Sequence, residues 1–175
     1  KRILNHLNSE YRIINSPDKF IDCDKIILPG VGAFDSAVKS LQDMGIFDEL
    51  IFHVKNGKKI LGVCLGMQLL FEKSSEGEMS GLGLIKSNVR KINYFSNKKN
   101  LKIPHVGFNR VFLKNKSSSV FLEKANDNDF YFVHAYAVLD DSSHEFNPLL
   151  CKYEDVNFVA GLEIDNIYAT QFHPE

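Results

Sequence analysis

A cysteine between two glycines constrains the fold of this chain more than any other feature. Residues 62–66 read Gly-Val-Cys-Leu-Gly, after the apolar pair Ile60 and Leu61 and before a second apolar run at residues 67–71. This order predicts a buried strand, a sharp turn at Cys64 and then a helix, because glycines tolerate a tight backbone. A helix N-terminus favours the thiolate, which is the nucleophilic form of cysteine. The pattern therefore indicates an enzyme with a cysteine nucleophile.

Strands and helices alternate in the first half of the sequence. Helical spacing of apolar residues predicts helices that begin near Phe34 and Phe47, and short apolar runs at residues 25–28 and 59–63 predict buried strands. Residues 11–14 suggest another short strand. In the second half, strands are predicted at residues 84–92, 106–113, 129–139, 157–164 and 167–172. The sequence thus predicts an α/β fold with a mostly parallel sheet, helices on both faces and an antiparallel-rich C-terminal half.

Composition narrows the class of protein. The length of 175 residues suits one domain, and a net charge of -1 gives no argument for binding nucleic acid or an anionic membrane surface. No apolar run approaches the ~20 residues that span a bilayer, and no segment resembles a signal peptide. The three cysteines are too scattered for a disulfide framework or a metal motif. These observations predict a cytoplasmic protein without a metal, a cofactor or a membrane partner.

His173 and Glu175 are the candidate partners of the Cys64 thiol. In an extended segment, residues two apart point to the same side, and Pro174 stiffens the chain between these two. A carboxylate beside an imidazole orients the ring and stabilises its protonated form, as in a catalytic triad. The alternative is a buried core thiol and a histidine at the surface end of a strand. The turn around Cys64 favours the catalytic interpretation.

A glycine-rich turn lies earlier in the sequence, before the two predicted helices that separate it from Cys64. Residues 29–32 read Pro-Gly-Val-Gly and lie between a predicted strand and a predicted helix. Such a turn can aim backbone N–H groups at a developing oxyanion, or it can merely connect two elements. No Gly-Lys-Ser/Thr follows, so the turn does not match a phosphate-binding loop.

Together these segments resemble the class I (triad) glutamine amidotransferases. The resemblance runs through residues 29–34, 62–68, 131–134 and 171–175 in order and spacing. Residues 29–34 and the Pro-His-Val-Gly-Phe-Asn run at 104–109 are most similar to the glutaminase subunits of imidazole glycerol phosphate synthase. The resemblance implies a three-layer α/β fold in one glutaminase domain over residues 1–175. This domain is expected to lack the first strand and the C-terminal helix of the family.

The resemblance also implies a reaction. Cys64 would attack the side-chain amide of L-glutamine, His173 would shuttle the proton, and Glu175 would orient His173. A γ-glutamyl thioester would form, and water would then release glutamate. The oxyanion would be held by the N–H of Leu65 and by the peptide between Val31 and Gly32, which must be reoriented for activity in this family.

The glutamine pocket implied by the resemblance is formed mainly by polar and small residues: Gly32, Gln68, Glu76, His134, Ala135 and Tyr136. Two of them have open alternatives. Glu76 could be a solvated loop carboxylate, and His134, in an apolar strand, could be a hydrogen-bonded core histidine.

In this family the ammonia passes to a partner. The partner is a (βα)8-barrel synthase, or cyclase, subunit that forms a heterodimer and makes imidazole glycerol phosphate and an aminoimidazole carboxamide ribotide (AICAR) in histidine biosynthesis. Phe108 and Tyr131 match positions near that interface. Phe108 stands where these subunits usually have tryptophan, so a related glutaminase that supplies an amidotransferase of surface-sugar synthesis is an alternative. A non-catalytic regulatory subunit and a simple cysteine peptidase or amidase are further alternatives.

Overall fold

A computed structural model describes residues 1–20, 22–140 and 146–174 of the chain. The strands are β1 (Lys25–Gly30), β2 (Lys59–Cys64), β3 (Phe71–Ser74), β4 (Ile85–Lys91), β5 (His105–Leu113), β6 (Asp129–His134), β7 (Tyr136–Ala137), β8 (Leu149–Tyr153), β9 (Val156–Ile164) and β10 (Ile167–Thr170). The helices are α1 (Arg2–His6), α2 (Phe34–Asp43), α3 (Phe47–Lys55), α4 (Leu65–Gln68) and α5 (Val120–Ala125), with 3-10 turns at Pro17–Phe20 and Ile92–Phe95. No helix in this described part is long and apolar enough to cross a membrane.

A seven-stranded sheet in the order β1-β2-β10-β9-β8-β5-β6 organises the molecule. The strand pairs β1–β2 and β2–β10 are parallel, and the other four pairs are antiparallel. A second sheet has the order β3-β4-β7. The α/β fold and the antiparallel C-terminal half are confirmed. The sheet was predicted to be mostly parallel, but only three of its seven strands, β1, β2 and β10, pair in parallel. Short hairpins need no crossover helix, and such a turn at Asp165 joins β9 to β10.

The sheet carries a hydrophobic core on each face. Along β8, Leu150 packs in the cluster that contains the buried sides of α2 and α3, whereas Leu149 and Cys151 pack in the cluster that contains Leu122 of α5. Successive strand residues point to opposite faces, so the two clusters lie on the two sides of the sheet. This arrangement agrees with the predicted helices on both faces.

The helix after Cys64 is shorter than predicted. It ends at Gln68, and Phe71, which was expected to be helical, begins β3. The carbonyls of residues 69–71 accept hydrogen bonds from the N–H groups of residues 82–85. These bonds draw the backbone into an extended path and leave α4 a single turn.

The strand predicted at residues 11–14 is wrong, because these described residues have no regular structure. Tyr11 and Ile13 are exposed, and no neighbouring strand pairs with them. An apolar run needs an adjacent strand to supply its hydrogen bonds. The helix α5 and the strands β3 and β8 were not predicted and are present.

Candidate active site

The predicted strand–turn–helix around Cys64 is present. Cys64 is the last residue of β2 and the N-cap of α4, with φ 55° and ψ -113°. A positive φ is uncommon for a residue other than glycine and marks local strain, as at the turn that presents a nucleophile in α/β hydrolases. The side chain is buried at the carboxyl end of a strand that is parallel to both of its neighbours.

The two glycines that flank Cys64 are required by close backbone packing. A Cβ added to Gly62 would lie 2.8 Å from the carbonyl oxygen of Gly66 and from the Cα of Met67. A Cβ on Gly66 would lie 1.7 Å from the carbonyl oxygen of Leu28 in β1. Side chains at either position would therefore push the start of α4 away from the sheet.

The turn at residues 29–32 lies beside this cysteine. β1 and β2 are in parallel register, and Gly30 pairs with Cys64. A Cβ on Gly30 would lie 2.9 Å from the Cβ of Leu65, so this glycine permits the close approach. Val31 is 84% exposed, and Gly32 has φ 102°, which favours glycine. The predicted oxyanion residues Val31, Gly32 and Leu65 thus come together at one edge of the sheet, and their role stays a prediction.

His173 reaches the same edge through β10. Thr170, the last residue of β10, pairs with Val63 next to Cys64, and His173 follows three residues later. The backbone N–H of His173 donates to the carbonyl of Tyr131 at 3.0 Å. Glu175, the third predicted triad residue, lies outside the described residues. The triad therefore stays a prediction.

A chain of buried amides connects the thiol to Tyr136. Gln171 Nε2 donates to Cys64 Sγ at 3.7 Å. Gln68 Nε2 donates to Gln171 Oε1 at 2.9 Å and to the carbonyl of Tyr136 at 2.8 Å. Gln68, a predicted substrate residue, is therefore held in place near Cys64.

Glu76 is engaged at the start of α2. Its Oε2 accepts a hydrogen bond from the N–H of Phe34 at 2.9 Å. This N–H belongs to the N-terminus of α2, where the helix dipole favours a negative charge. In return, Asp35 accepts the N–H groups of Glu78 and Met79. The two carboxylates attach the loop after β3 to the helix that follows the glycine-rich turn. Glu76 is therefore not merely a solvated loop carboxylate, and its contact with substrate stays a prediction.

His134 is a hydrogen-bonded core residue. Its Nδ1 is 2.9 Å from the carbonyl of Tyr136, and its Nε2 is 3.1 Å from Nδ1 of His105. Asn109 Oδ1 lies 2.8 Å from the other ring nitrogen of His105. The side chain of His134 is thus occupied within the core, while its neighbours Ala135 and Tyr136 are half-buried. Their predicted contacts with glutamine remain untested.

Burial of His134 predicts an acid-sensitive fold. Desolvation lowers the pKa of His134 from 6.5 to about 3, although the bond to Tyr136 opposes this change. In the unfolded chain an ordinary histidine takes up a proton near pH 6.5, so the unfolded state binds more protons between these two values. The free energy of unfolding is therefore expected to fall as the pH is lowered from about 6.5 toward 3, by on the order of several kcal/mol.

Urea unfolding of the wild type and of His134→Asn, each at pH 7 and pH 5, measures this effect. The wild type is expected to lose more stability between the two pH values than the variant does. His6→Asn, which changes an exposed histidine on α1, is the matched control and should behave like the wild type. An equal pH dependence in all three proteins would contradict the prediction.

An aromatic pair, one exposed ring and one half-buried ring, lies on the antiparallel strands β5 and β6. Phe108 pairs in register with Tyr131, and their ring centroids are 5.4 Å apart. The Phe108 side chain is 73% exposed, and Val106 and Val133, also register partners, are exposed beside it. Tyr131 also contacts the segment of His173 through its carbonyl. The two predicted interface residues therefore form one surface that is connected to the candidate site.

Two residues of the candidate site, Gln171 and Asp35, had no role in the sequence prediction. Gln171 belongs to the motif at residues 171–175, directly before the segment of His173, which is the signal in the sequence that could have identified it. Asp35 follows the glycine-rich turn, but its partners lie more than forty residues away in the sequence. Across residues 1–20, 22–140 and 146–174, no group of three or more His, Cys, Asp or Glu side chains is arranged to hold a metal ion.

The sequence also matches known proteins. The family model of class-I glutamine amidotransferases matches residues 2–175. The imidazole glycerol phosphate synthase subunit HisH of Sulfurimonas denitrificans is 42% identical over 165 residues, which cover 93% of this chain and 77% of that protein. The subunit of the same name from Aquifex aeolicus is 39% identical and covers 97% of this chain and 75% of that protein. The one from Prochlorococcus marinus subsp. pastoris is 37% identical and covers 99% and 82%.

Solved structures share the fold. A crystal structure of a glutamine amidotransferase has a TM-score of 0.73 at 19% identity and covers 99% of this chain and 82% of its own. A glutamine amidotransferase from Thermotoga maritima has a TM-score of 0.65 at 18% identity, over 98% and 67% of the two chains. These structural likenesses show the fold, whereas the family model and the relatives show the family. The predicted resemblance is confirmed: the chain belongs to the class-I glutamine amidotransferase family.

Proposed function

We propose that this protein is the glutaminase subunit that supplies ammonia for imidazole glycerol phosphate synthesis in histidine biosynthesis. It hydrolyses L-glutamine to glutamate and delivers the ammonia to a (βα)8-barrel cyclase subunit. The relatives named as imidazole glycerol phosphate synthase subunits support this assignment. The observation that carries the chemistry is the register of Gly30 with Cys64, which sets the glycine turn beside a buried cysteine with a strained backbone.

In the proposed reaction, the Cys64 thiolate attacks the side-chain amide carbon of glutamine. The carbonyl oxygen becomes an oxyanion, which the N–H groups of Leu65 and Gly32 stabilise. His173, oriented by Glu175, passes the proton that it has taken from the Cys64 thiol to the leaving nitrogen. Ammonia then leaves the tetrahedral intermediate, and a γ-glutamyl thioester remains. His173 then takes a proton from water, which attacks the thioester, and glutamate and the thiol are restored.

Gln68 and the residues around it recognise glutamine in this proposal. Both N–H groups of the Gln68 amide are used, by Tyr136 and Gln171, so its carbonyl oxygen is the group that meets a donor of the substrate. The α-ammonium group of glutamine is such a donor. The carboxylate of Glu76 adds negative charge at the start of α2, directly after the glycine turn.

The partner binds the exposed aromatic surface of Phe108 and Tyr131. Large aromatic side chains are enriched in the centres of protein interfaces, and the Tyr131 carbonyl of this pair contacts the His173 segment. The barrel subunit would thus dock beside the site where ammonia leaves. Three scattered cysteines fit a reducing compartment, in which the Cys64 thiol stays reduced, so we place the complex in the cytoplasm.

Isotope transfer tests the proposal. The protein, a barrel cyclase from the same cell and the nucleotide substrate of that cyclase are mixed with glutamine labelled with 15N at the side-chain amide, in buffer that contains excess unlabelled ammonium. The expected result is glutamate release together with imidazole glycerol phosphate that carries the 15N label undiluted. Undiluted label shows that ammonia passes between the two proteins without mixing with solvent.

Two outcomes would overturn parts of the proposal. If no glutamate forms with the cyclase and its nucleotide substrate present, the protein is not the glutaminase of this complex. If glutamate forms only with an amidotransferase of surface-sugar synthesis, the glutamine chemistry holds and the acceptor is the alternative one.

A further inference from the structure

The amide chain behind Cys64 has a fixed direction. A backbone carbonyl can only accept hydrogen bonds, so the Gln68 atom at the Tyr136 carbonyl must be the amide nitrogen. The same nitrogen faces Gln171, so the Gln171 atom that meets it must be the oxygen. The remaining end of the Gln171 amide is then its NH2 group, which points at the sulfur of Cys64. The carbonyl of Tyr136 thus fixes the orientation of both amides.

Gln171 is also held through its main chain. It follows β10, and its backbone N–H donates to the carbonyl of Ala160 in the neighbouring β9 at 2.8 Å. Its side chain is fully buried. Thr170 Oγ1 donates to the carbonyl of Phe172 at 3.0 Å, which fixes the backbone on either side of Gln171. The donor at the sulfur is therefore held from two directions.

The short helix α4 alone stabilises a thiolate at Cys64 only weakly. α4 has four residues, which is about one turn, so its dipole is far smaller than that of a long helix. A donor pointed at the sulfur compensates, because hydrogen bonds to the charged form of a group favour that form.

We propose that Gln171 is a positioning residue for the nucleophile: its amide NH2 donates to Cys64 Sγ, holds the sulfur in one direction and favours the thiolate. This inference deepens the proposed function, on which it rests for the role of Cys64. Gln68 acts through Gln171, because its NH2 group keeps the Gln171 oxygen turned away from the sulfur.

Alkylation of Cys64 by iodoacetamide tests the inference without glutamine or a partner. The rate is measured from pH 5 to pH 10, and the labelled peptide is quantified by mass spectrometry. In Gln171→Met the donor is lost, and the midpoint pH of Cys64 alkylation is expected to rise by about one unit, with an about tenfold slower rate near neutral pH. In Gln171→Glu a carboxylate faces the sulfur, so the midpoint should rise further.

The chain supplies its own controls. Cys23 lies near the amino end of β1, away from Cys64 at the carboxyl end of β2, and its alkylation profile should be the same in all variants. Burial raises the pKa of Cys151 to about 12, so this thiol should stay unlabelled over most of the range.

If Gln171 had only a structural role, Gln171→Met and Gln171→Glu would both lower the thermal stability. The midpoint pH of Cys64 alkylation would then not rise from the wild type to Gln171→Met and further to Gln171→Glu. An unchanged Cys64 midpoint in folded Gln171→Met overturns the inference. If this variant does not fold, Gln68→Met, which frees the Gln171 amide to rotate, must raise the midpoint for the inference to stand. Absence of glutamine hydrolysis in a wild type whose variants keep the expected order of midpoints would reject the proposed function and not the role of Gln171.

Discussion

A Cys64→Ala variant is expected to release glutamate from glutamine at least about a thousandfold more slowly than the wild type. Without the sulfur no thioester can form, and the remaining groups can only bind glutamine and polarise its amide. Alanine adopts the same backbone conformation with a smaller side chain, so the fold should survive. Glutamate formation in the presence of the cyclase, together with thermal unfolding, measures both effects.

Cys23→Ala is the matched control for this experiment. It removes another thiol from a half-buried position near the start of β1, away from the site. Its activity should equal that of the wild type. Residual activity of Cys64→Ala above about a tenth of the wild-type value would show that another group carries the reaction and would reject the triad.

Gly66→Ala is expected to destabilise the protein by roughly 3 kcal/mol or more. The new Cβ would lie 1.7 Å from the oxygen and 2.7 Å from the carbon of the Leu28 carbonyl. Both are backbone atoms, so no side-chain rotation can relieve the clash, and α4 must separate from β1. For a chain of this length the melting temperature should fall by about 6 to 12 °C. Differential scanning calorimetry measures the change.

Gly161→Ala provides the comparison in the same sheet. Its Cβ would meet the Ala169 carbonyl at 3.3 Å and the Leu149 side chain at 3.4 Å, which small shifts can accommodate. We expect a change within about 1 kcal/mol. If the two alanine variants melt together, the close packing of Gly66 on β1 is not a condition of the fold.

Local chemistry explains why the core of the site could be predicted. The glycines around Cys64 and the turn at residues 29–32 carry their conformational demands in the sequence, because few residues fit such backbones. Strand order then places both at one sheet edge, since parallel strands end on the same side. The strand–turn–helix around Cys64 and the α/β class therefore followed from the residues themselves.

Other features depend on partners that are distant in sequence. The motif at residues 171–175 marks Gln171 in the sequence, but its hydrogen bond to Gln68, more than a hundred residues away, does not follow from that motif. The early end of α4 results from hydrogen bonds to residues 82–85 that helix propensity does not include. Residues 11–14 have a strand-like composition but no strand beside them, so composition alone predicted a strand that is not there.

The matched lengths of β1 and β2 restrict where this chain tolerates insertions and deletions. Each strand has six residues, and the two run in step from the pair Lys25 and Lys59 to the pair Gly30 and Cys64. One extra residue in either strand would shift its end by about 3.3 Å and turn its side chains to the opposite face. The loop that joins α3 to β2 lies outside this register. The exposed turn at Gly57, where a Cβ would meet no described atom within 4 Å, is therefore a place to insert a peptide tag or a reporter without moving the thiol.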